Sequence, residues 1–199
     1  MDRPMLLANL RDEGFSEAVV SAFAAVPREE FVPAGYLAQA YEDMALPIGG
    51  GATISQPSML AVMLDELRLS TGTSVLEIGS GCGYFLALME AMGGECVGVE
   101  IQPRLARESM ETLARLGLRA KVIEGNAEIL GELLPSQRDR VVFSAAILQI
   151  PQWAIGLLAP GGFVLAPVGR IGQELFRADA LGSFRTGRRC RFVPFIRPD

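Results

Sequence analysis

The stretch that most constrains the fold is Val75–Glu100, VLEIGSGCGYFLALMEAMGGECVGVE. A short apolar strand, Ser74 to Ile78, breaks into the turn Gly79-Ser80-Gly81-Cys82-Gly83. A helical pattern follows on Phe85, Leu86, Met89 and Met92, and a second strand, Cys96 to Val99, ends on Glu100. Strand, glycine-rich turn, helix and strand in this order make the first half of a βαβ nucleotide site. Glycines at alternate positions let the backbone turn sharply and admit a ligand close to the amides at the helix start. An acid at the tip of the second strand is placed to accept hydrogen bonds from ribose hydroxyls.

The kind of nucleotide turns on two residues. The dinucleotide fingerprint needs a third glycine where this chain has Tyr84, so Gly79, Gly81 and Gly83 read G-x-G-x-G instead. Two residues upstream stands Glu77. A pyrophosphate gains nothing from a carboxylate beside its cradle, whereas a ligand with an amino group and a sulfonium does. The motif therefore favours S-adenosylmethionine over NAD, and an NAD-dependent oxidoreductase is the weakest reading.

The rest of the composition narrows the chemistry. A chain of 199 residues, half of them hydrophobic and 21% charged, is expected to form one globular domain over 1–199. Residues 1–69 read as an N-terminal helical or cap segment and 70–199 as a Rossmann-like core. There is no histidine, which removes Ser-His-Asp triads, Cys-His dyads and histidine-ligated metals together. Cys82, Cys96 and Cys190 are odd in number and widely spaced, so neither a disulfide framework nor a metal site is expected. The net charge of −5 and the lack of a long basic run argue against nucleic acid, and Arg185, Arg188, Arg189 and Arg191 read as the solvated face of an edge hairpin. No stretch approaches the ~20 apolar residues of a membrane span or forms a leader's apolar core. The expectation is a cytoplasmic monomer.

Along the chain, residues 2–26 read as two short helices broken at Gly14, the second capped by Ser16. A short turn lies between Pro27 and Pro33, and Tyr36 to Ile48 has no clear period. Gly49-Gly50-Gly51 then leads into Ala52-Thr53-Ile54-Ser55-Gln56-Pro57, a loop suited to a lid hinged on its glycines. Ser55 is equally suited to capping the helix that follows, whose buried stripe is Met59, Leu60, Met63, Leu64 and Leu67. From residue 70 strands and helices alternate. Helix Pro103 to Leu116 precedes strand Ala120 to Ile123, and helix Glu128 to Leu134 precedes strand Val141 to Ser144. Helix Trp153 to Leu158 precedes strand Phe163 to Val168, and strands Gln173 to Ala178 and Arg189 to Phe195 form an edge hairpin. Ligands of such sheets sit beyond the carboxyl ends of the strands. That gathers Gly79 to Gly83, Glu100-Ile101, Asn126-Ala127 and Ser144-Ala145. Asn126 suits either an adenine contact or a plain turn, and Ala127 leaves room for a ring.

Several stretches together resemble the protein-L-isoaspartate O-methyltransferase family. They are Val26 to Pro33, Ala40 to Gly49, Ala52 to Pro57, Val75 to Tyr84, Pro160 to Gly162, Pro167 to Gly169 and Arg191 to Phe195, in that order. The resemblance implies a class I methyltransferase fold: α/β, doubly wound, with a mostly parallel seven-stranded sheet, N-terminal helices and a C-terminal antiparallel edge hairpin. It implies S-adenosyl-L-methionine held by Ala52, Thr53, Ile54, Ser55, Ser58, Glu77, Gly79, Ser80, Gly81, Gly83, Glu100, Ile101, Asn126 and Ala127, with Ser55 as the active-site residue. The implied reaction moves a methyl group to the α-carboxylate of an L-isoaspartyl residue, or the β-carboxylate of D-aspartate, in damaged proteins. Three departures stand out. Gly125-Asn126-Ala127 replaces the family's Gly-Asp-Gly, no tyrosine precedes Asp139, and Gln173 to Arg191 is short and lacks a clear Asp-Gly turn. They keep open a methyltransferase with another peptide carboxylate as its target, and a non-catalytic binder of the same cofactor.

Overall fold

The computed structural model describes residues 1–130 and 137–196. Helices α1 (Arg3–Asp12) and α2 (Glu17–Ala25) are broken at Gly14, and the Ser16 hydroxyl accepts from the Val19 amide as the cap of α2. A 3-10 turn over Arg28–Phe31 and another over Ala34–Gln39 lead to a small hairpin, β1 (Leu46–Gly49) and β2 (Ala52–Ile54). Helix α3 (Pro57–Leu67) is followed by β3 (Ser74–Ile78), α4 (Tyr84–Ala91), β4 (Glu95–Glu100), α5 (Pro103–Arg115), β5 (Lys121–Glu124) and α6 (Ala127–Leu130). The rest of the helix expected over 128–134 lies outside the described residues. The chain ends with β6 (Arg138–Phe143), α7 (Gln152–Gly156), β7 (Leu158–Val168), β8 (Glu174–Asp179) and β9 (Gly182–Arg189).

The seven main strands form one sheet in the order β5-β4-β3-β6-β7-β8-β9. All neighbours pair in parallel until β8 and β9, which run antiparallel at one edge. Strand alternation explains why helices cover both faces. Val75, Val142 and Leu165 join the cluster that contains α1 to α5, whereas Leu76, Val141, Phe143 and Val164 face α7 and Ala127. Helix α4 is buried at every position from Tyr84 to Met89, because the sheet lies on one side and the N-terminal helices on the other. Tyr84 occupies the fingerprint's third-glycine position for a packing reason: its ring lies against Phe23 (6.3 Å) and Phe31 (5.3 Å). Each such buried side chain contributes about 1.5–3 kcal/mol.

Four expectations need correction. Ser55 does not cap α3. Gln56 holds the N-cap position, and the carboxylate of Asp43 accepts from both the N–H and the hydroxyl of Ser58 (2.8 Å each). The segment before Gly49 is not wholly irregular, since Leu46–Gly49 pairs with Ala52–Ile54. Strand β7 starts at Leu158, before the two glycines rather than after them. Gly161 takes φ +79°, and a Cβ on Gly162 would lie 2.7 Å from the Arg138 carbonyl, so only glycine lets the strand continue there. The last strand is Gly182–Arg189 and not Arg189 to Phe195. Asp179 makes the turn into it by accepting from the amides of Leu181 and Gly182. The tail beyond is held by other means: Gln173 accepts from Cys190 and Phe192, and Ala146 exchanges backbone bonds with Val193 and Phe195. The arginines of β9 are exposed, as expected of an edge.

Candidate active site

The loop after β3 is a backbone cradle. Gly79, Gly81 and Gly83 take φ of +78°, +55° and +83°, values that only glycine adopts without strain. The amides of Gly79 and Ser80 both donate to the Val99 carbonyl, which ties the loop to β4. Gly98 makes that approach feasible, because a Cβ there would lie 2.7 Å from the Cβ of Ser80.

Glu100 ends β4, almost wholly buried, with one carboxylate oxygen accepting from Gly81 N (2.8 Å) and the other from Gln102 N (2.9 Å). Both bonds leave lone pairs on a carboxylate that faces a cavity. Glu77, on β3, is 1% exposed, and its Oε1 accepts from the Ser144 hydroxyl at 2.5 Å. Its Oε2 has no partner among the described residues. Burial pushes the Glu77 carboxyl up to about 8, the Ser144 bond pulls it back in part, and Glu100 adds repulsion. Asn126, after β5, lends its side-chain oxygen to the Glu128 amide at 2.9 Å. It is thus a turn residue and a wall of the cavity at once.

Two adjoining cavities share Thr53, Gly79, Gly81 and Ser144 as walls. The larger, about 210 Å³, takes in the ends of β3, β4 and β5, with Ala52, Ile101 and Ala127 among its walls. The smaller, about 30 Å³, is bounded by Ile54, Ser55, Glu77 and Ser80. Of the residues expected from sequence, only Gly83 and Ser58 border neither. Gly83 starts α4 and abuts Ser109 and Leu113, while Ser58 is engaged with Asp43. Cys82 also borders the smaller cavity, but burial raises its thiol to about 11, so it is no thiolate at neutral pH.

The β1–β2 hairpin tip closes one side of the larger cavity. Gln102 Nε2 donates to the Gly50 carbonyl (3.2 Å), and Arg104 Nη2 donates to the Ile48 carbonyl (2.8 Å) while Nη1 holds Glu108. The tail Val193-Pro194-Phe195-Ile196 closes another side. Sequence reasoning missed Gln102, which shows no pattern of its own, and assigned the tail to a strand. A signal for the tail exists in Pro194, whose missing N–H suits a segment paired only at isolated points.

A model of the family described as protein-L-isoaspartate(D-aspartate) O-methyltransferase matches residues 1–198. The chain belongs to this family. Relatives named protein-L-isoaspartate O-methyltransferase include one from Gloeobacter violaceus, 42% identical over 83% of this chain and 81% of its own length. Another, from Methylorubrum populi, is 38% identical over 99% of this chain and 93% of its own. Among solved structures, a protein-L-isoaspartate O-methyltransferase superposes with a TM-score of 0.86 and 28% identity, over 98% of this chain and 66% of that one. A putative family member from Plasmodium falciparum, solved in complex with S-adenosyl-L-homocysteine, superposes with a TM-score of 0.80 at 25% identity, covering 98% of both chains. The sheet order and the edge hairpin are therefore those of a class I methyltransferase of this family.

Proposed function

We propose that the protein is an S-adenosylmethionine-dependent carboxyl methyltransferase that acts on L-isoaspartyl and D-aspartyl residues of proteins. Family membership supports the activity, and one observation in the site supports the cofactor. Glu77 keeps a buried carboxyl oxygen without a partner among the described residues, directly beside a glycine cradle. Such an orphan is costly unless a cationic group meets it, and an amino group or sulfonium does so where a phosphate would not.

In this reading Glu77 and the cradle hold the amino-acid end of the cofactor, Glu100 takes the ribose, and Asn126 and Ala127 flank the base. When bound, the cofactor supplies a methyl group on a positively charged sulfur. The chain's own task is positioning. A substrate carboxylate has a pKa near about 4 and is ionised at neutral pH, so no general base is required and the absence of histidine costs nothing. Ser55 orients that carboxylate with its hydroxyl, and the glycine hairpin with the apolar tail excludes water. Residues 1–69 serve as a cap on the core, and the protein acts as a cytoplasmic monomer; three free cysteines agree with a reducing compartment.

The test supplies labelled S-adenosylmethionine with an isoaspartyl peptide and its aspartyl twin. Labelling of the isoaspartyl peptide alone is expected. Equal labelling, or none, removes the repair activity.

A further inference from the structure

Ser144 stands where the two cavities meet, as a wall of each. It is the first residue past β6, and its amide donates to the Ile78 carbonyl at 2.9 Å, which pins it against the end of β3. The parallel register, with Val142 opposite Glu77 and Phe143 opposite Ile78, places Ser144 level with Gly79, the first residue of the cradle. Its hydroxyl donates to Glu77 Oε1 at 2.5 Å. Among the described residues no other group donates to that carboxyl, and its Oε2 stays bare.

The groups around Glu77 explain why a neutral donor suits position 144. Glu100 faces it from β4 as a like charge, and Cys82 and Cys96 face it as thiols that burial keeps neutral. Alanine at 144 would leave both carboxyl oxygens bare, which is costly in a buried place. A lysine or arginine there would neutralise the carboxylate from within and compete with a cationic ligand. A hydroxyl steadies one oxygen, favours the ionised form and leaves the charge on the other oxygen for an incoming cation.

We infer that Ser144 is a positioning residue for the cofactor, its hydroxyl holding Oε1 of Glu77 so that Oε2 is presented to the ligand's ammonium group. The effect is confined to ligands that carry this cation. The nucleoside part is held at Glu100 and Asn126 and draws nothing from Glu77.

The inference rests on the cofactor assignment of the proposed function, and two probes separate them. S-adenosylhomocysteine carries the ammonium group. 5′-Methylthioadenosine keeps the adenosine and the sulfur and lacks the amino-acid end. Both are titrated by calorimetry at about pH 6.5, where the ammonium is protonated, the weaker by competition with the tighter. Ser144→Ala is expected to weaken S-adenosylhomocysteine about tenfold or more, the usual scale for a hydrogen bond to a charged group, and methylthioadenosine by less than about threefold. Ser144→Thr, which restores the hydroxyl, is expected to bind both probes within about threefold of the wild type. An equal loss for both probes in Ser144→Ala overturns the inference, because the serine then only shapes the cavity wall. Unchanged binding of both overturns it as well. Binding of neither probe to the wild type overturns the cofactor assignment itself. Should Ser144→Ala fail to fold, the isosteric pair Ser144→Thr and Ser144→Val, which differ by a hydroxyl against a methyl, makes the same comparison.

Discussion

Arg28 donates from Nη1 to the main-chain carbonyl of Ser55 at 2.7 Å, from a position with no exposure to solvent. Its Nη2 donates to the Met44 carbonyl at 3.1 Å, its guanidinium lies 5.3 Å from the centre of the Tyr84 ring, and its Nε has no partner among the described residues. No carboxylate forms an ion pair with it among the described residues. Desolvation therefore lowers its pKa, although a guanidinium remains charged. The fork bridges both strands of the small hairpin at their outer ends and so fixes where Ser55 stands.

Arg28→Met removes this fork and keeps most of the volume. Each deserted carbonyl is expected to cost about 1–3 kcal/mol. Misplacement of the Ser55 loop is expected to slow methyl transfer by about a hundredfold. Cofactor-product affinity should stay within about threefold, since the cradle is built from other residues. Thermal melts, calorimetry and turnover measured together check this. A wild-type rate in Arg28→Met would show that the hairpin needs no clamp.

Ser55 and Asp43 make a paired test of structure against chemistry. Because the cap of α3 depends on Asp43 and not on Ser55, Ser55→Ala should change stability by less than about 0.5 kcal/mol. Asp43→Ala should cost about 1 kcal/mol, the usual loss for a cap. Activity is expected to respond to Ser55→Ala, falling about tenfold or more through lost orientation of the substrate carboxylate. Denaturant melts of both variants beside their turnover rates make the comparison. A large melting shift in Ser55→Ala would return that serine to a structural role.

The cradle and the sheet were legible in sequence because each rests on local rules. Glycine spacing specifies the turn at 79–83, and alternating strands and helices specify a parallel sheet. The position of Glu100 at the tip of β4 follows from the same period. What the sequence hid is long-range. Asp43 reaches across fifteen residues of separation to serve Ser58, so a serine beside the helix looked like its cap. Gln173 satisfies the tail at Phe192, which lets a strand-like stretch lie outside the sheet. Gln102 meets the hairpin only after α5 has been placed against it. In each case a side chain replaced the backbone partner that local patterning assumes.

The hairpin latch gives a kinetic prediction. The amide N–H of Gln102 is held by Glu100 and its side chain holds Gly50, so it links the Glu100 carboxylate to the cavity's cover. Gln102→Ala removes the side-chain bond and keeps the backbone one. The lost bond is worth about 1 kcal/mol, so S-adenosylhomocysteine should dissociate roughly fivefold faster with little change in association. Stopped-flow displacement reads both rates. A slower association with unchanged release would mean that the hairpin obstructs entry and does not retain the ligand.

Glu77 is expected to make both stability and cofactor affinity depend on pH, in opposite senses. Its folded pKa of about 8 lies above the ordinary value of 4.5, so between those limits the folded chain keeps a proton that the unfolded chain has released. Stability of the ligand-free protein must then fall as pH rises through that window, by on the order of a few kcal/mol in total. Glu77→Gln keeps an acceptor for Ser144 and removes the proton, so its melting temperature should overtake that of the wild type by several degrees towards pH 8. A cationic ligand needs the ionised carboxylate. Its affinity for the wild type should therefore rise with pH, by up to about tenfold per unit, from about pH 5 to about pH 6.5, where an α-amino group of pKa about 7.7–8.0 stays largely protonated. Calorimetry across that range, in buffers of different ionisation enthalpy, should register proton release on binding to the wild type and none with Glu77→Gln. A flat wild-type profile would mean that Glu77 is already ionised in the free protein, held so by a donor to its second oxygen.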